Sequence, residues 1–257
     1  MKNSEIWIAF YTIIRREIRR FMRIWPQTLL PPAITMTLYF AIFGNLIGTR
    51  IGEMGGFSYM QYIVPGLIMM SVITNSYSNV ASSFFSVKFQ HSIQELLVSP
   101  TPNSVILLGY VLGGVARGLA VGFIVTILSL FFSDLPLQNL FLTIVVVTLT
   151  SIMFSLGGFV NALYARSFDD VSIIPTFVLT PLTYLGGVFY SIDLLPQFWQ
   201  NVSLLNPILY MVNAFRFGIL GVSDINVYWA LIIVCLFIVV LYCFGLNRLN
   251  QGRGIRD

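Results

Sequence analysis

Long stretches without a single charge constrain this chain more than any other feature. Residues 54–87, 118–133, 135–165, 171–192 and 225–247 contain no Asp, Glu, Lys or Arg. A helix that crosses the ~30 Å hydrocarbon layer of a bilayer needs about 20 mainly apolar residues. Charged residues make up 9% of the 257, and hydrophobic residues 57%. A soluble domain uses about 25% charged residues to wet its surface. Too little charge is present for a solvated globule, and the same composition excludes disorder. The chain therefore reads as an all-α, polytopic membrane protein forming one domain over residues 1–257.

Residues 5–24 read as an amphipathic helix lying in the membrane interface. Trp7, Phe10, Ile14, Ile18, Phe21 and Trp25 recur at helical spacing, with Arg16, Arg19, Arg20 and Arg23 on the other side. These arginines are expected to meet anionic headgroups of membrane lipids. Five arginines spread through residues 1–25, with no small-residue cleavage site, do not read as a signal peptide.

Six transmembrane helices are expected, at 28–47, 59–82, 105–132, 140–163, 171–189 and 226–246. The second carries a polar face of Thr74, Asn75, Ser78 and Asn79, which must find partners among other helices or in a cavity. The third carries glycines at 109, 113, 114, 118 and 122, rows that permit close helix crossing. Residues 86–104 form the main internal hydrophilic segment, with a short helix expected from Ser92 to Val98, before Pro100 and Pro102. Residues 191–224 are broken by Asp193, Pro196, Asn206, Pro207 and Arg216, and suit a re-entrant hairpin better than two full crossings.

Six crossings put both termini on one side. Eleven of the 14 Lys and Arg fall there: Lys2, Arg15, Arg16, Arg19, Arg20, Arg23, Lys88, Arg166, Arg248, Arg253 and Arg256. The bias of Lys and Arg toward the cytoplasmic side predicts cytoplasmic termini and a hairpin on the opposite face.

Catalytic chemistry finds little footing. The lone histidine, His91, lies in a polar loop and reads as a surface or contact residue. The adjacent Asp169 and Asp170 suit a helix start and need no metal. Cys235 and Cys243 sit eight apart in one apolar tract and suit no structural bridge. A P-loop needs glycine-rich backbone donors followed by Lys and Ser or Thr. The only lysines are Lys2 and Lys88, and neither follows a glycine. No cofactor, metal or nucleic-acid site is expected in this chain. Arg117 lies well inside a span, where an unpaired charge costs several kcal/mol. Both a structural pairing and a cavity or gating role stay open for it, and for Arg216 with less force.

These features resemble the ABC-2 type transporter permeases of bacteria, a family that includes polysaccharide and drug exporters. The resemblance is carried by the segment from Phe84-Phe85 to Pro100, by Phe168-Asp169-Asp170, by residues 175–190 ending Tyr-Leu-Gly-Gly-Val-Phe-Tyr, and by Leu205-Asn206-Pro207. It implies six transmembrane helices with an N-terminal interfacial helix, in the bacterial inner membrane. It implies a cytoplasmic coupling helix at 88–100 and a periplasmic re-entrant pair at 191–216. Two permeases would pair as a homodimer with two copies of a separate ABC ATPase subunit, which would bind the ATP and Mg. Lys88, His91, Gln94, Glu95 and Leu96 would meet that ATPase. Asn75, Arg117 and Tyr184 would face the translocation path or dimer interface. The cargo is left open between a polysaccharide and a lipid-like or amphiphilic compound, since no ladder of aromatics facing polar neighbours stands out.

Two other classes compete. An ion-coupled secondary transporter or channel would need charge near the midplane or an internal repeat, and Arg117 is the one candidate charge. A membrane enzyme or assembly scaffold would need a reaction carried out without an ATPase.

Overall fold

The computed structural model describes residues 3–252, with the side chains of residues 45, 46, 49, 96 and 97 outside that description. Lys2, Arg253, Arg256 and the Leu96 side chain, all used above, therefore lie outside the described residues. The chain opens with α1 (Asn3–Arg23), whose buried residues are Ile13, Glu17 and Phe21. Next comes a broken helical run: α2 (Trp25–Thr28), α3 (Leu30–Ala41), a π-turn (Ile42–Ile47) and α4 (Gly48–Ile51). The expected first span at 28–47 is thus several pieces. A two-residue hairpin, β1 (Glu53–Met54) with β2 (Phe57–Ser58), is the small exception to an all-helical fold.

The central helix is α5 (Tyr59–Phe89), 31 residues long. Ser58 starts it with a capping box: its hydroxyl accepts from the Gln61 N–H at 3.3 Å, and Gln61 Oε1 accepts from the Ser58 N–H at 3.1 Å. The helix runs seven residues past the expected end at 82. At about 1.5 Å per residue it is about 46 Å long, so it outreaches the hydrocarbon layer. The extra turns are held by Phe84 and Phe85, both buried.

The short α6 (Ile93–Val98) follows, then α7 (Asn103–Ser129) and α8 (Leu140–Tyr164). Glycine rows on α7 settle its two contact faces. A Cβ on Gly109 would lie 2.5 Å from Ile13 of α1, and one on Gly113 would lie 2.5 Å from Glu17. Gly114, Gly118 and Gly122 lie instead against Ser76, Val80 and Val72 of α5. Close backbone approach of this kind is what small residues permit.

Helix α9 (Phe168–Ile174) leads through a π-turn (Pro175–Leu179) into α10 (Thr180–Tyr184). Pro175 has no N–H to continue the ladder, and the Thr180 hydroxyl donates to the Pro175 carbonyl at 3.0 Å. A 3-10 turn (Ile192–Leu194) precedes α11 (Gln197–Leu204) and α12 (Pro207–Leu220). The last two meet at 89°, so the expected segment 191–216 forms a bent hairpin that extends to Leu220. Its corner is Leu205-Asn206-Pro207: the Asn206 side chain accepts from the Ile208 N–H at 3.0 Å, and Pro207 opens α12. The chain ends in α13 (Val227–Gln251).

The molecule is membrane-embedded. Three described helices, α7, α8 and α13, are long and apolar enough to cross a bilayer, and a fourth is added if α11 and α12 form one bent span. Only 17% of the most apolar stretch of α13 is buried within the protein, against 44% for α7 and α8. That leaves α13 on the perimeter with Trp229, Leu236 and Val240 facing outward. Helix α5 is the reverse case. Asn75, Asn79 and Ser83 turn inward to Arg117, Arg20 and Glu17 of neighbouring helices, while Ser71 and the exposed Thr74 bond back to carbonyls of α5 itself.

Candidate functional site

Three polar regions break the apolar body. The first surrounds α6. Lys88, at the end of α5, donates from Nζ to the carbonyls of Leu163 and Ala165, both at 2.7 Å. These are orphan carbonyls of the α8 C-terminus, where a cation also meets the negative end of the helix dipole. Phe168 packs edge-on to Phe85 at 4.8 Å between ring centroids and lies 5.2 Å from Phe89. Ile93 is buried in the same cluster. His91 takes φ +57, a left-handed conformation that turns the chain sharply out of α5.

As a result His91, Gln94 and Glu95 are exposed on the outer side of a ridge held from beneath. Of the residues expected to meet a partner, Lys88 is directed differently, stapling the ridge to α8. The start of α9 braces the same place. Ser167 and Asp170 form a capping box, and Asp170 Oδ2 accepts from the Arg166 and Ser167 N–H groups at 2.8 and 3.0 Å. These hydrogen bonds, that from Arg166 foremost, hold the Asp170 carboxyl below its ordinary pKa.

The second region is a seam between α1, α5 and α7. Glu17 is only 1% exposed and is the residue sequence reasoning passed over. It pairs with Arg16 at 3.2 Å and Arg20 at 3.4 Å, and accepts from the Ser83 hydroxyl at 2.6 Å. Arg16 also donates to the Tyr110 hydroxyl at 2.5 Å, and Arg20 donates to the carbonyl and side-chain oxygens of Asn79, both at 2.9 Å. A buried carboxylate survives only with this degree of pairing. The signal available in the sequence was Glu17 standing alone among arginines, two turns above Phe10 on the face that carries Ile13.

Arg117 donates to Asn75 Oδ1 at 3.0 Å and to the Thr28 carbonyl at 3.3 Å. The structure thus brings Asn75 and Arg117 together and ties both to the end of α2. Tyr184 sits elsewhere, 43% exposed. Its ring lies 5.7 Å from Phe189, which is 5.2 Å from Phe43 and 6.2 Å from Tyr39. This aromatic group is assembled from positions far apart in the chain, so no local pattern could reveal it.

Arg216 is fully buried. It donates to the Gly187 carbonyl at 2.6 Å, the Tyr62 carbonyl at 3.3 Å and Asn213 Oδ1 at 3.4 Å, with its guanidinium 4.0 Å from the Tyr62 ring centre. The Tyr62 hydroxyl donates to Asp224 at 3.3 Å, and Asp224 accepts from the Ile192 N–H at 3.1 Å. The network locks the bent hairpin to α5 at the end remote from α6.

The segments gather at opposite ends. Helix α6, the end of α8, and the end of α13 (through Asn103 donating to Asn250 at 2.7 Å) share one end. The Gln61–Asp134 contact at 3.0 Å and the Arg216 network share the other. Among the described residues no group of three or more His, Cys, Asp or Glu could hold a metal ion.

With this geometry in hand, similarity to known proteins is specific. The family profile described as ABC-2 type transporter matches residues 8–220. The inner membrane transport permease YadH of Escherichia coli strain K12 is 59% identical over 251 residues, covering 98% of both chains. Nodulation protein J of Neorhizobium galegae is 24% identical over 248 residues, covering 95% of this chain and 93% of that one. Nodulation protein J of Rhizobium meliloti strain 1021 is 23% identical over 251 residues, covering 97% and 94%.

Proposed function

The chain belongs to the ABC-2 type transporter family as a permease subunit, and from that premise we propose that it works as the membrane-spanning half of an ATP-driven exporter, paired with a second copy and with two separate ABC ATPase subunits. Members of this family are transport subunits without catalytic chemistry of their own. ATP and Mg belong to the partner.

The observation that carries the reading is the supported ridge at α6. A loop that merely joined two spans would need no lysine staple and no aromatic brace beneath it. Held by Lys88, Phe85, Phe168 and Ile93, the ridge moves with the ends of α5 and α8 as a unit. His91, Gln94, Glu95 and, on its sequence position, Leu96 meet the ATPase. Closure of the two ATPase subunits then pushes on α5, whose 31 residues carry the displacement toward the hairpin end.

Six passes complete the topology in this reading. The run 30–51 is about 33 Å long at 1.5 Å per residue and 171–184 about 21 Å, and they join α5, α7, α8 and α13 as crossings. The α6 end with both termini lies in the cytoplasm, and α11–α12 is a re-entrant pair on the periplasmic side. The arginine-rich α1 beside the α6 end supports this orientation. Arg117 with Asn75, and Tyr184 with its aromatic neighbours, face the path or the dimer contact. Cargo is a lipid-like, amphiphilic or polysaccharide compound.

The test is co-expression with candidate ABC ATPase subunits from the same organism. Co-purification and a change in ATP turnover on assembly are expected, and Glu95→Arg should abolish that change while leaving the permease folded. An ATPase that neither binds nor responds to the chain defeats the reading, as would a chain end tagged on the outer face.

A further inference from the structure

Between α1 and the last turns of α5 lies a cavity of about 1090 Å³, walled by Arg15, Arg16, Arg19, Arg20 and Arg23. The one carboxylate on its wall, Glu17, is already occupied by Arg16 at 3.2 Å and Arg20 at 3.4 Å. Arg15, Arg19 and Arg23 are exposed and follow one another at four-residue spacing, a row in which like charges repel. Nothing among the described residues on this wall neutralises them. The cavity is also preformed. Glu17, buried against Gly113 and bonded to Ser83, fixes the distance between α1 and α5, so the arginine row is held open beside α5.

Apolar groups adjoin the charge. Tyr11 and Met22 line the same cavity, and Trp7 on α1 and Trp25 at the start of α2 stand exposed at 69% and 54%. Guanidinium groups match phosphate oxygens through paired N–H donors and hold them more tightly than isolated charges do.

We propose that this cavity is a binding site for the phosphate headgroup of a membrane amphiphile, gripped by Arg15, Arg19 and Arg23 while its apolar chains run along Tyr11 and Met22 into the leaflet. The site goes beyond the exporter reading and stands on binding alone, so its test needs no ATPase.

The full chain is purified in maltoside micelles, which hold no phosphate, and titrated with dioctanoyl phosphatidic acid under native mass spectrometry. One phosphatidate per chain is expected, with dioctanoylglycerol and glycerol 3-phosphate both failing to displace it. Arg15→Gln/Arg19→Gln should weaken binding about 30-fold, at about fivefold for each charge near the surface. Both side chains are exposed, so the variant should elute as the parent does. Arg50→Gln/Arg166→Gln removes the same charge elsewhere and should leave binding unchanged. The proposal is overturned if that control loses as much affinity, if Arg15→Gln/Arg19→Gln binds like the parent, or if glycerol 3-phosphate competes as well as phosphatidate.

Discussion

Replacing Arg216 with Met keeps most of the buried volume and removes the guanidinium. Three donated hydrogen bonds go, to Gly187, Tyr62 and Asn213, together with the contact at 4.0 Å to the Tyr62 ring. Asn213 Oδ1 keeps a donor in the Asp224 N–H at 3.0 Å, and the Tyr62 carbonyl lies within α5. The Gly187 carbonyl is left as the main orphan, costing about 1–3 kcal/mol. A desolvated cation–ring contact adds about 2 kcal/mol. Release from burying the guanidinium offsets part of this, leaving a net loss of about 3 kcal/mol.

Asp224 also loses its neighbouring cation, so Asp224→Asn should cost less in the Arg216→Met background than alone, by about 1–2 kcal/mol. The assay is thermal unfolding in detergent, read with hydrogen exchange across residues 187–192. Faster exchange confined to the hairpin end is expected, with Arg216→Lys failing to restore the parent because one ammonium cannot span the three acceptors. Full additivity of the two substitutions, or a melting point for Arg216→Met within about 1 °C of the parent, would refute the network as the lock.

Gly118→Leu forces a side chain into Ser76 and Ser151; it should cost at least about 1–3 kcal/mol and sharply lower the yield of folded protein. Gly157→Ala, whose Cβ would meet the Tyr77 ring at an ordinary 3.8 Å, should raise stability by about 0.5–1 kcal/mol. Glu17→Gln leaves the partly exposed Arg16 and Arg20 without their carboxylate and should raise hydrogen exchange throughout α1, with a loss of about 1–3 kcal/mol. The lowered pKa of Asp170 means that its stabilisation is complete at neutral pH and disappears as acid carries the pH down through the folded value. Asp170→Asn should therefore be destabilising at pH 7, and denaturation curves for the two proteins should converge under acid.

Composition and charge placement alone determined that the chain is helical and lives in a membrane. The tracts free of charge leave no other solvent for it, and turn signals such as Ser167 with Asp170 and Asn206 with Pro207 act within a few residues. The short helix before Pro100 and the bend at 191–216 were legible for the same local reason. The motifs from Phe84 to Pro100 and at Phe168 were legible as resemblance, but their physical sense, one aromatic brace under one ridge, needed α5 and α9 side by side.

What only the tertiary structure decided is which polar group meets which. Lys88 could have pointed at a partner, yet the open carbonyls of α8 claim it. Glu17 reads in sequence as one acid in an arginine-rich surface helix, and becomes a buried anchor because Gly113 lets α1 approach α7. Arg117 finds Asn75 and Arg216 finds Gly187 across 42 and 29 residues of chain. A charge inside an apolar bundle must be paired, and the sequence carries that requirement. The identity of the partner depends on helix approach, which side-chain packing sets and no local spacing records.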